Sequence, residues 1–366
     1  MRIALVSDVF APRLGGMEVQ VADLAARLRR AGHQVRVMTA TPGEPVPDLV
    51  RLPAPVSLPA PVNPWAGRGL RAEVAAADVV HIHLGVLAPF ASRAAQIALA
   101  AGRPTVVTWH SMVGRAAVPY AARWRGWIDS GAVPTAVSGV AAERVRAVTR
   151  SGVPIEVLPN GIDPADWAAD ATAAPALGPG EPVRLATAMR FAPRKRPLQL
   201  IALAASIRRL VPPERRLELV AAGAGPLLGP ARARVQTARA DWITLPGRLS
   251  RPELARLYHR CHLYLSPARL ESFGIAALEA RAAGLAVAGI AGSGITEFVQ
   301  DGVDGVLADD GRQLAREVAA LINEPEALTK ILDHNRSVAP HQTWERVLDA
   351  TLETYDRALA ARPGGR

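Results

Sequence analysis

The sequence contains few lysine, cysteine or aromatic residues, and each shortage is informative. Only two of its 43 basic residues are lysines, Lys195 and Lys330, so arginine carries almost all of the positive charge behind the net value of +10. The single cysteine, Cys261, excludes an internal disulfide and is typical of a reducing cytosol. Aromatic residues make up 4% of a chain that is 49% hydrophobic, so its cores must be built from aliphatic side chains.

The chain also lacks several patterns that would point to particular classes of protein. It has no run of about 18 apolar residues that would predict a transmembrane helix. The apolar run Ile3–Val6 is too short for a signal peptide, and Asp8 follows it closely. No zinc-finger spacing, basic helix or aromatic RNA-binding motif occurs, and the charge is dispersed, which argues against nucleic acid as a partner. We therefore expect a cytoplasmic protein whose positive charge favours phosphate-bearing ligands or an acidic membrane surface.

A length of 366 residues predicts two domains, because one hydrophobic core seldom extends so far. Short apolar strands alternate with amphipathic helices from residue 1, and this alternation starts again near Arg184. Between the two series, residues 165–181 are rich in Ala, Gly and Pro and predict a linker. The fold class is therefore α/β, with domains over 1–164 and 182–344 and a C-terminal helix over 345–366 that packs back on the first domain.

In the first half, two kinds of position point to ligand binding. Gly15 and Gly16 precede a helix, where backbone amides and the helix dipole attract phosphate, although the pair falls short of a full dinucleotide fingerprint. His81, His83 and His110 lie near the carboxyl ends of predicted parallel strands, where ligands of open α/β sheets bind. A strand-end histidine is more often structural, and a metal site would need a further ligand that the sequence does not identify.

In the second half, a cluster of cations occupies a predicted strand-to-helix junction. Arg190, Arg194, Lys195 and Arg196 fall within seven residues, and the cluster includes one of the only two lysines. A lysine point charge beside forked guanidinium groups suits a diphosphate. The alternative is a solubilising surface cluster.

Two glutamates bracket the next predicted turn and helix. Glu271 precedes Gly274, where the helix opens, and Glu279 lies inside it. Eight helical positions span about 12 Å, so the two acids could each hold a sugar ring, one at either end of a sugar nucleotide. The alternative is that Glu279 is solvated and that Glu271 is merely a favourable charge near a helix N-terminus.

Together these motifs resemble those of the retaining GT-B glycosyltransferases of glycosyltransferase family four, over nearly the whole chain. The matching segments are Gly15, Gly16 and Glu18, Gly32–Val35, Asp78–His83, Thr108–His110, Pro159–Asp163, the basic pair Arg190 and Lys195, and Glu271 to Glu279 with its ESFG and LEA segments. The sequence departs from the family pattern at Ala268, at Arg196, where Gly often follows the lysine, and at Ser293-Gly294, where Gly-Gly is common.

The resemblance implies two Rossmann-like domains facing each other across a cleft, and retaining sugar transfer from a nucleotide diphosphate sugar. It implies that Arg190, Lys195 and the Gly16 amide neutralise the leaving diphosphate and that His110 lies near the sugar and acceptor. Donor binding would also involve Glu271 and the amides of Phe273, Gly274 and Ile275 at the sugar, Glu279 at the ribose, and the loop at Arg248 and Leu249 at the base. No cofactor is implied beyond the nucleotide sugar as co-substrate. No metal is expected either, because no D-x-D pair occurs and the cations cover its usual task.

The sequence leaves the donor base, as UDP, GDP or dTDP, and the acceptor open. The acceptor is expected to be a small molecule or a lipid hydroxyl, and the second case includes a phosphatidylinositol-type mannosyltransferase at the inner face of the membrane. Tyr120–Trp127 interleaves aromatics with arginine, which suits a membrane interface or, equally, a buried helix with a basic face. Two other activities are weighed against transfer: a sugar-nucleotide epimerase of the same fold, and a non-catalytic nucleotide-sugar binder.

Overall fold

The chain divides into two compact units, each described here by itself. The computed structural model describes residues 1–13, 15–54, 63, 65–85, 87–168, 177–178 and 180–361. Unit 1 comprises Met1–Gly161 and Trp344–Arg366, and unit 2 comprises Ile162–Thr343. The first segment of unit 1 thus ends at residue 161, three residues before residue 164, where the sequence predicts the end of the first domain. Trp167, near the start of the predicted linker, is buried in unit 2 beside Tyr258, which explains why unit 2 begins early. Most of the remaining linker lies outside the described residues.

Unit 1 alternates strands and helices along its first 161 residues and ends with a helix from the C-terminus of the chain. Its strands are β1 (Arg2–Ser7), β2 (Gln34–Thr39), β3 (Leu49–Arg51), β4 (Val79–Leu84), β5 (Thr105–Trp109), β6 (Val133–Ala136) and β7 (Glu156–Val157). Its helices are α1 (Gly16–Arg30), α2 (Gly67–Ala76), α3 (Pro89–Ala100), α4 (Ala121–Asp129), α5 (Gly139–Thr149) and, at the end of the chain, α12 (Trp344–Ala360).

The strands of unit 1 form one parallel sheet in the order β3-β2-β1-β4-β5-β6-β7. Alternate residues of β1 enter opposite cores: Ala4 and Val6 pack on one face, and Ile3 and Leu5 on the other. The second of these cores also holds Tyr355 of α12. Both faces of the sheet are therefore covered, as the continuous apolar strands require.

Unit 2 repeats the same construction. Its strands are β8 (Val183–Ala188), β9 (Leu217–Ala222), β10 (Ile243–Gly247), β11 (Leu263–Ser266), β12 (Ala286–Ile290) and β13 (Gly305–Ala308). Its helices are α6 (Pro197–Leu210), α7 (Leu228–Thr237), α8 (Arg251–Tyr258), α9 (Ile275–Ala282), α10 (Gly311–Asn323) and α11 (Pro325–Ser337). The sheet is parallel, in the order β10-β9-β8-β11-β12-β13, and its core is dominated by Ala, Val, Leu and Ile. Each unit thus has the strand order of a Rossmann-like sheet, which confirms the predicted fold class.

Two sequence predictions in unit 1 need correction. Residues 42–70 are rich in Pro and show no periodicity, so the sequence predicts one long surface loop there. That prediction is wrong, because Leu49–Arg51 pairs with β2 and α2 begins at Gly67; residues 55–62 and 64 lie outside the described part. The interpretation of Tyr120–Trp127 as a membrane interface is not supported, because its tryptophans do not face outward. Trp124 and Trp127 are 4% and 5% exposed, and Trp124 packs between Trp109 and Tyr120. The segment is therefore a core helix with a basic outer face.

Candidate functional site

The loops that carry most of the predicted site of unit 2 lie at one edge of its sheet. β8, β11 and β12 are adjacent parallel strands, so their carboxyl ends meet at the same edge. β8 leads into the cation cluster at 190–196, β11 leads into 267–274, and β12 leads into the short 3₁₀ helix Gly294–Glu297. Topology therefore brings together Lys195 and Glu271, which are 76 residues apart in the chain.

Lys195 and Glu271 form an ion pair across this edge. Lys195 Nζ lies 2.5 Å from Glu271 Oε2, and the Glu271 side chain is 13% exposed. Burial lowers the pKa of the neighbouring Arg194 guanidinium, and the Glu271 carboxylate partly opposes that effect. One carboxylate thus faces two cations of the cluster.

The loop that carries Glu271 is held by close backbone packing. The Gly294 amide donates to the Glu271 carbonyl at 2.7 Å, and a Cβ at Gly294 would lie 2.2 Å from the Ser272 carbonyl oxygen. Gly274 begins α9 at a φ of +96°, and a Cβ there would lie 2.7 Å from Ile295. Glycine is therefore required at both positions, which fixes Glu271 relative to the start of α9.

Helix α9 begins without a side-chain cap. The first amides of any α-helix lack intrahelical partners, so the backbone around Gly274 and Ile275 presents donors at this edge. Phe273 does not extend outward, because its ring is 1% exposed and lies 5.5 Å from the ring of Phe298. The predicted donor contact at Phe273 would therefore come from its backbone.

Glu279 is buried, at 7% exposure, so the interpretation of Glu279 as a solvated helix residue is wrong. Tyr264 lies near both glutamates, and its hydroxyl donates to the Ala188 carbonyl at 3.0 Å. Burial raises the pKa of Tyr264, and the charges of Glu271 and Glu279 raise it further. Tyr264 is thus hydrogen-bonded to the end of β8, two residues before Arg190, and lies close enough to both glutamates to feel their charge.

The other predicted donor residues of unit 2 lie at the same edge with different exposure. The Arg190 side chain is exposed just beyond β8. Arg248 is exposed and Leu249 is half-buried, directly after β10 and before the capping box of Ser250 and Glu253 that opens α8. Arg196 has a φ of +57°, a left-handed conformation that favours glycine, which explains why glycine suits this position in the resembling family.

In unit 1, Gly16 is the first residue of α1, whose N-cap Gly15 provides no side-chain cap. Glu18 folds back over this helix end: a Cβ at Gly15 would lie 2.5 Å from Glu18 Oε2. Glu18 is 8% exposed and lies 3.9 Å from Arg13. The Gly16 amide is therefore at a helix N-terminus, as predicted, with a carboxylate as its close neighbour.

The three strand-end histidines of unit 1 lie side by side, with His81 and His83 buried and His110 half-buried. His81 Nδ1 lies 2.9 Å from the Tyr355 hydroxyl, and His81 Nε2 lies 2.6 Å from Thr108 Oγ1. His83 Nδ1 lies 2.9 Å from His110 Nε2. The three histidines border a pocket of about 30 Å³, wide enough for water-sized molecules, which is also lined by Asn160.

These histidines are neutral in the folded protein near pH 7. Burial lowers the pKa of His81 to about 3 and that of His110 to about 4. The pKa of His83 is also lowered, by burial first and then by the charges of His81 and His110. Among the described residues, no three His, Cys, Asp or Glu side chains are grouped so as to hold a metal ion.

Three polar residues with clear structural roles were not singled out by the sequence analysis. Asp8 accepts hydrogen bonds from the Phe90 and Ala91 amides at the start of α3, and burial raises its pKa to about 7. Gln20 pairs with both backbone groups of Gly161 at 2.9 Å. Tyr355 binds His81 from a helix 274 residues away. Of the three, only Asp8 could have been found from the sequence, because it is a charged residue directly after a predicted buried strand.

Comparison with known proteins agrees with this architecture. The model described as Glycosyltransferase Family 4 matches residues 14–166, and the model described as Glycosyl transferases group 1 matches residues 173–337. The chain is 29% identical to the GDP-mannose-dependent α-(1-6)-phosphatidylinositol monomannoside mannosyltransferase of Mycobacterium tuberculosis, over 92% of this chain and 91% of that protein. It is 34% identical to the D-inositol 3-phosphate glycosyltransferase of Segniliparus rotundus, over 56% of this chain and only 47% of that protein.

A solved structure with the same fold is that of Anabaena HepE in complex with UDP and glucose. The TM-score is 0.74 at 16% sequence identity, covering 97% of this chain and 99% of that one. No helix in the described part of the chain is both long and apolar enough to cross a bilayer. Two successive Rossmann-like units, matched one after the other by the two glycosyltransferase models, place the chain in glycosyltransferase family 4 with the GT-B fold.

Proposed function

We propose that this glycosyltransferase moves a hexose-type sugar from a nucleotide diphosphate sugar to a hydroxyl of a small-molecule or lipid acceptor, with retention at the anomeric carbon. The observation that carries the proposal is the ion pair of Lys195 and Glu271, which joins the cation cluster after β8 to the loop after β11. The carboxylate sets the position of the ammonium, and the arginines add fixed positive charge.

The cation cluster supplies the main catalytic effect in this proposal. Negative charge builds up on the diphosphate as it leaves, and groups already positioned at that point stabilise the transition state more than the ground state. Lys195 and Arg190 bind the diphosphate oxygens, and the Gly16 amide is the corresponding donor of unit 1. These cations make a divalent metal unnecessary, so turnover is expected to persist in a chelator.

The glutamates have separate tasks. Glu279, buried in the middle of α9, accepts from the ribose hydroxyls, while Arg248 and Leu249 border the base. Glu271 orients the sugar and offsets positive charge at the anomeric carbon, together with the amides of Phe273, Gly274 and Ile275. In unit 1, His110 borders the acceptor and the transferred sugar.

The two curated relatives have inositol-bearing substrates in their names, and one uses GDP-mannose, whereas the structural neighbour holds UDP and glucose. We therefore choose inositol phosphates and phosphatidylinositol as first acceptors, each with GDP-mannose and with UDP-, GDP- and dTDP-hexoses. Lipid acceptors would bring the protein to the inner face of the membrane as a peripheral protein, although the buried tryptophans of α4 do not anchor it there. Co-sedimentation with anionic and neutral vesicles tests this contact.

The decisive experiment measures nucleotide release and product anomeric configuration with each donor and acceptor. Lys195→Ala and Glu279→Ala are expected to lower turnover by about 100-fold or more, as removal of one fixed transition-state contact typically does. Lys330→Ala, in the only other lysine and on an exposed part of α11, is the matched control and should be unaffected. Wild-type turnover in Lys195→Ala would contradict the site. Conversion of the donor without an acceptor would indicate an epimerase, and tight binding without turnover a non-catalytic binder.

A further inference from the structure

The contact between His83, which is buried, and His110, which is half-buried, restricts where each ring carries its proton. The two rings meet through His83 Nδ1 and His110 Nε2, 2.9 Å apart, and their centroids are 5.1 Å apart. A hydrogen bond at this distance needs one proton between the two nitrogens. Two N–H groups would clash there, and two lone pairs would repel each other.

Neutral rings satisfy this requirement in only two ways. If His83 donates from Nδ1, then His110 Nε2 is bare and the His110 proton is on Nδ1. If His110 donates from Nε2, then His83 Nδ1 is bare and the His83 proton is on Nε2. Both rings therefore carry the same tautomer, either Nδ1–H in both or Nε2–H in both.

The far side of His83 decides between the two arrangements. His83 is 2% exposed, and its Nε2 has no hydrogen-bond partner among the described residues. In the second arrangement this nitrogen would be a buried N–H donor without an acceptor, whereas in the first it is a bare lone pair. Orphaned buried N–H groups are the rarer and costlier case.

We infer that His83 is a positioning residue that donates from Nδ1 to His110 Nε2 and holds His110 as a neutral Nδ1–H imidazole. His110 then carries its proton on Nδ1, and its Nε2 lone pair already accepts from His83. His110 would accordingly orient a substrate oxygen by donating to it, and it would not remove the acceptor's proton through Nε2. The tautomer follows from this pair and from the unpartnered Nε2 of His83, whatever the substrate is. The part that His110 plays with substrate rests on the proposed function.

The tautomer is measured on the wild-type protein without any substrate. Histidine labelled with ¹⁵N gives ring nitrogen shifts that distinguish Nδ1–H from Nε2–H, and His83→Asn and His110→Asn assign the two residues. At pH 7 we expect Nδ1–H on both rings. Nε2–H on either ring, or a charged ring, overturns the inference.

Kinetic measurements then test whether His83 positions His110 for catalysis. His83→Leu removes the donor, whereas Asn keeps an amide near the position of Nδ1. We expect His83→Leu to lower kcat about tenfold or more with little change in donor KM, since misplaced groups affect the transition state most. His83→Asn should recover most of that loss. Wild-type kcat in a folded His83→Leu protein overturns the inference, and so does a His83→Asn variant as slow as His83→Leu.

His81→Asn is the matched control, because the His81 nitrogens contact Tyr355 and Thr108 and not His110. It should leave His110 in its Nδ1–H form, and a changed His110 tautomer there would contradict the assigned pair. If no nucleotide sugar supports transfer by the wild type, the proposed function fails while the tautomer measurement still decides the inference. If His83→Leu does not fold, the wild-type spectrum decides it.

Discussion

Replacing His81 by leucine should flatten the pH dependence of the stability of unit 1. His81 is fully enclosed between β4, β5 and α12, with both ring nitrogens in hydrogen bonds to neutral hydroxyls. Burial lowers its pKa to about 3, against about 6.5 in an unfolded chain. Because the folded pKa is depressed, the unfolded chain binds a proton that the folded protein does not. Stability is therefore lost as the pH falls below about 6.5.

The size of the effect follows from proton linkage. Between pH 7 and pH 5 the unfolded histidine becomes almost fully protonated and the folded one does not. The free energy of unfolding therefore falls by about 2 kcal/mol. His110, with a pKa of about 4, contributes a similar loss, and His83 acts in the same direction. Asp8 opposes them, because its raised pKa of about 7 lets the folded form take up a proton first. Comparing wild type with His81→Leu isolates the contribution of His81, because groups that do not interact with His81 contribute equally to both proteins.

Hydrogen exchange of the β4 and β5 amides, corrected for intrinsic exchange at each pH, measures how the stability of unit 1 changes with pH in wild type and in His81→Leu. From pH 7 to pH 5, the opening free energy of the wild type should fall by about 2 kcal/mol more than that of His81→Leu. Tyr355→Phe is the control, since it removes the hydrogen bond to Nδ1 but leaves the titrating ring in place. Equal losses in wild type and His81→Leu would show that His81 is not held neutral, and the reasoning would be refuted.

Three further predictions concern unit 2. Arg196→Gly relieves the left-handed conformation at a φ of +57° and should raise the free energy of unfolding by up to about 1 kcal/mol in urea denaturation; a loss of stability would contradict this. Gly294→Ala forces a Cβ to within 2.2 Å of the Ser272 carbonyl, so donor KM should rise as the Glu271 loop shifts, and an unchanged KM would refute that coupling. Arg281→Leu leaves the buried Asp304 carboxylate without its 2.7 Å partner and should destabilise the unit by about 3–5 kcal/mol in thermal melts, whereas a near-neutral effect would count against a structural ion pair.

The sequence by itself determined the fold class and the positions of most elements. Aliphatic runs that recur with intervening amphipathic helices predict parallel sheets covered on both faces, and the structure has two of them. The short motifs also fixed local chemistry: glycines stand where α1 and α9 begin, and the cations lie at the end of β8. Such features depend on neighbours within a few residues, so a single sequence contains the information that they need. The loop over 42–70 was misjudged because β3 is only three residues long, too short to show a period.

Only the tertiary structure decided which charged and polar groups meet. Strand order sets the partner of Lys195, the burial of Glu279 and the hydrogen bond between His83 and His110, since adjacent strands of these sheets are distant in sequence. The same holds for α4, where alternating aromatics and arginines left a membrane face and a core face equally open until Trp124 and Trp127 were placed inside. Periodicity reports which side of an element is apolar, but what covers that side is set by packing between distant parts of the chain.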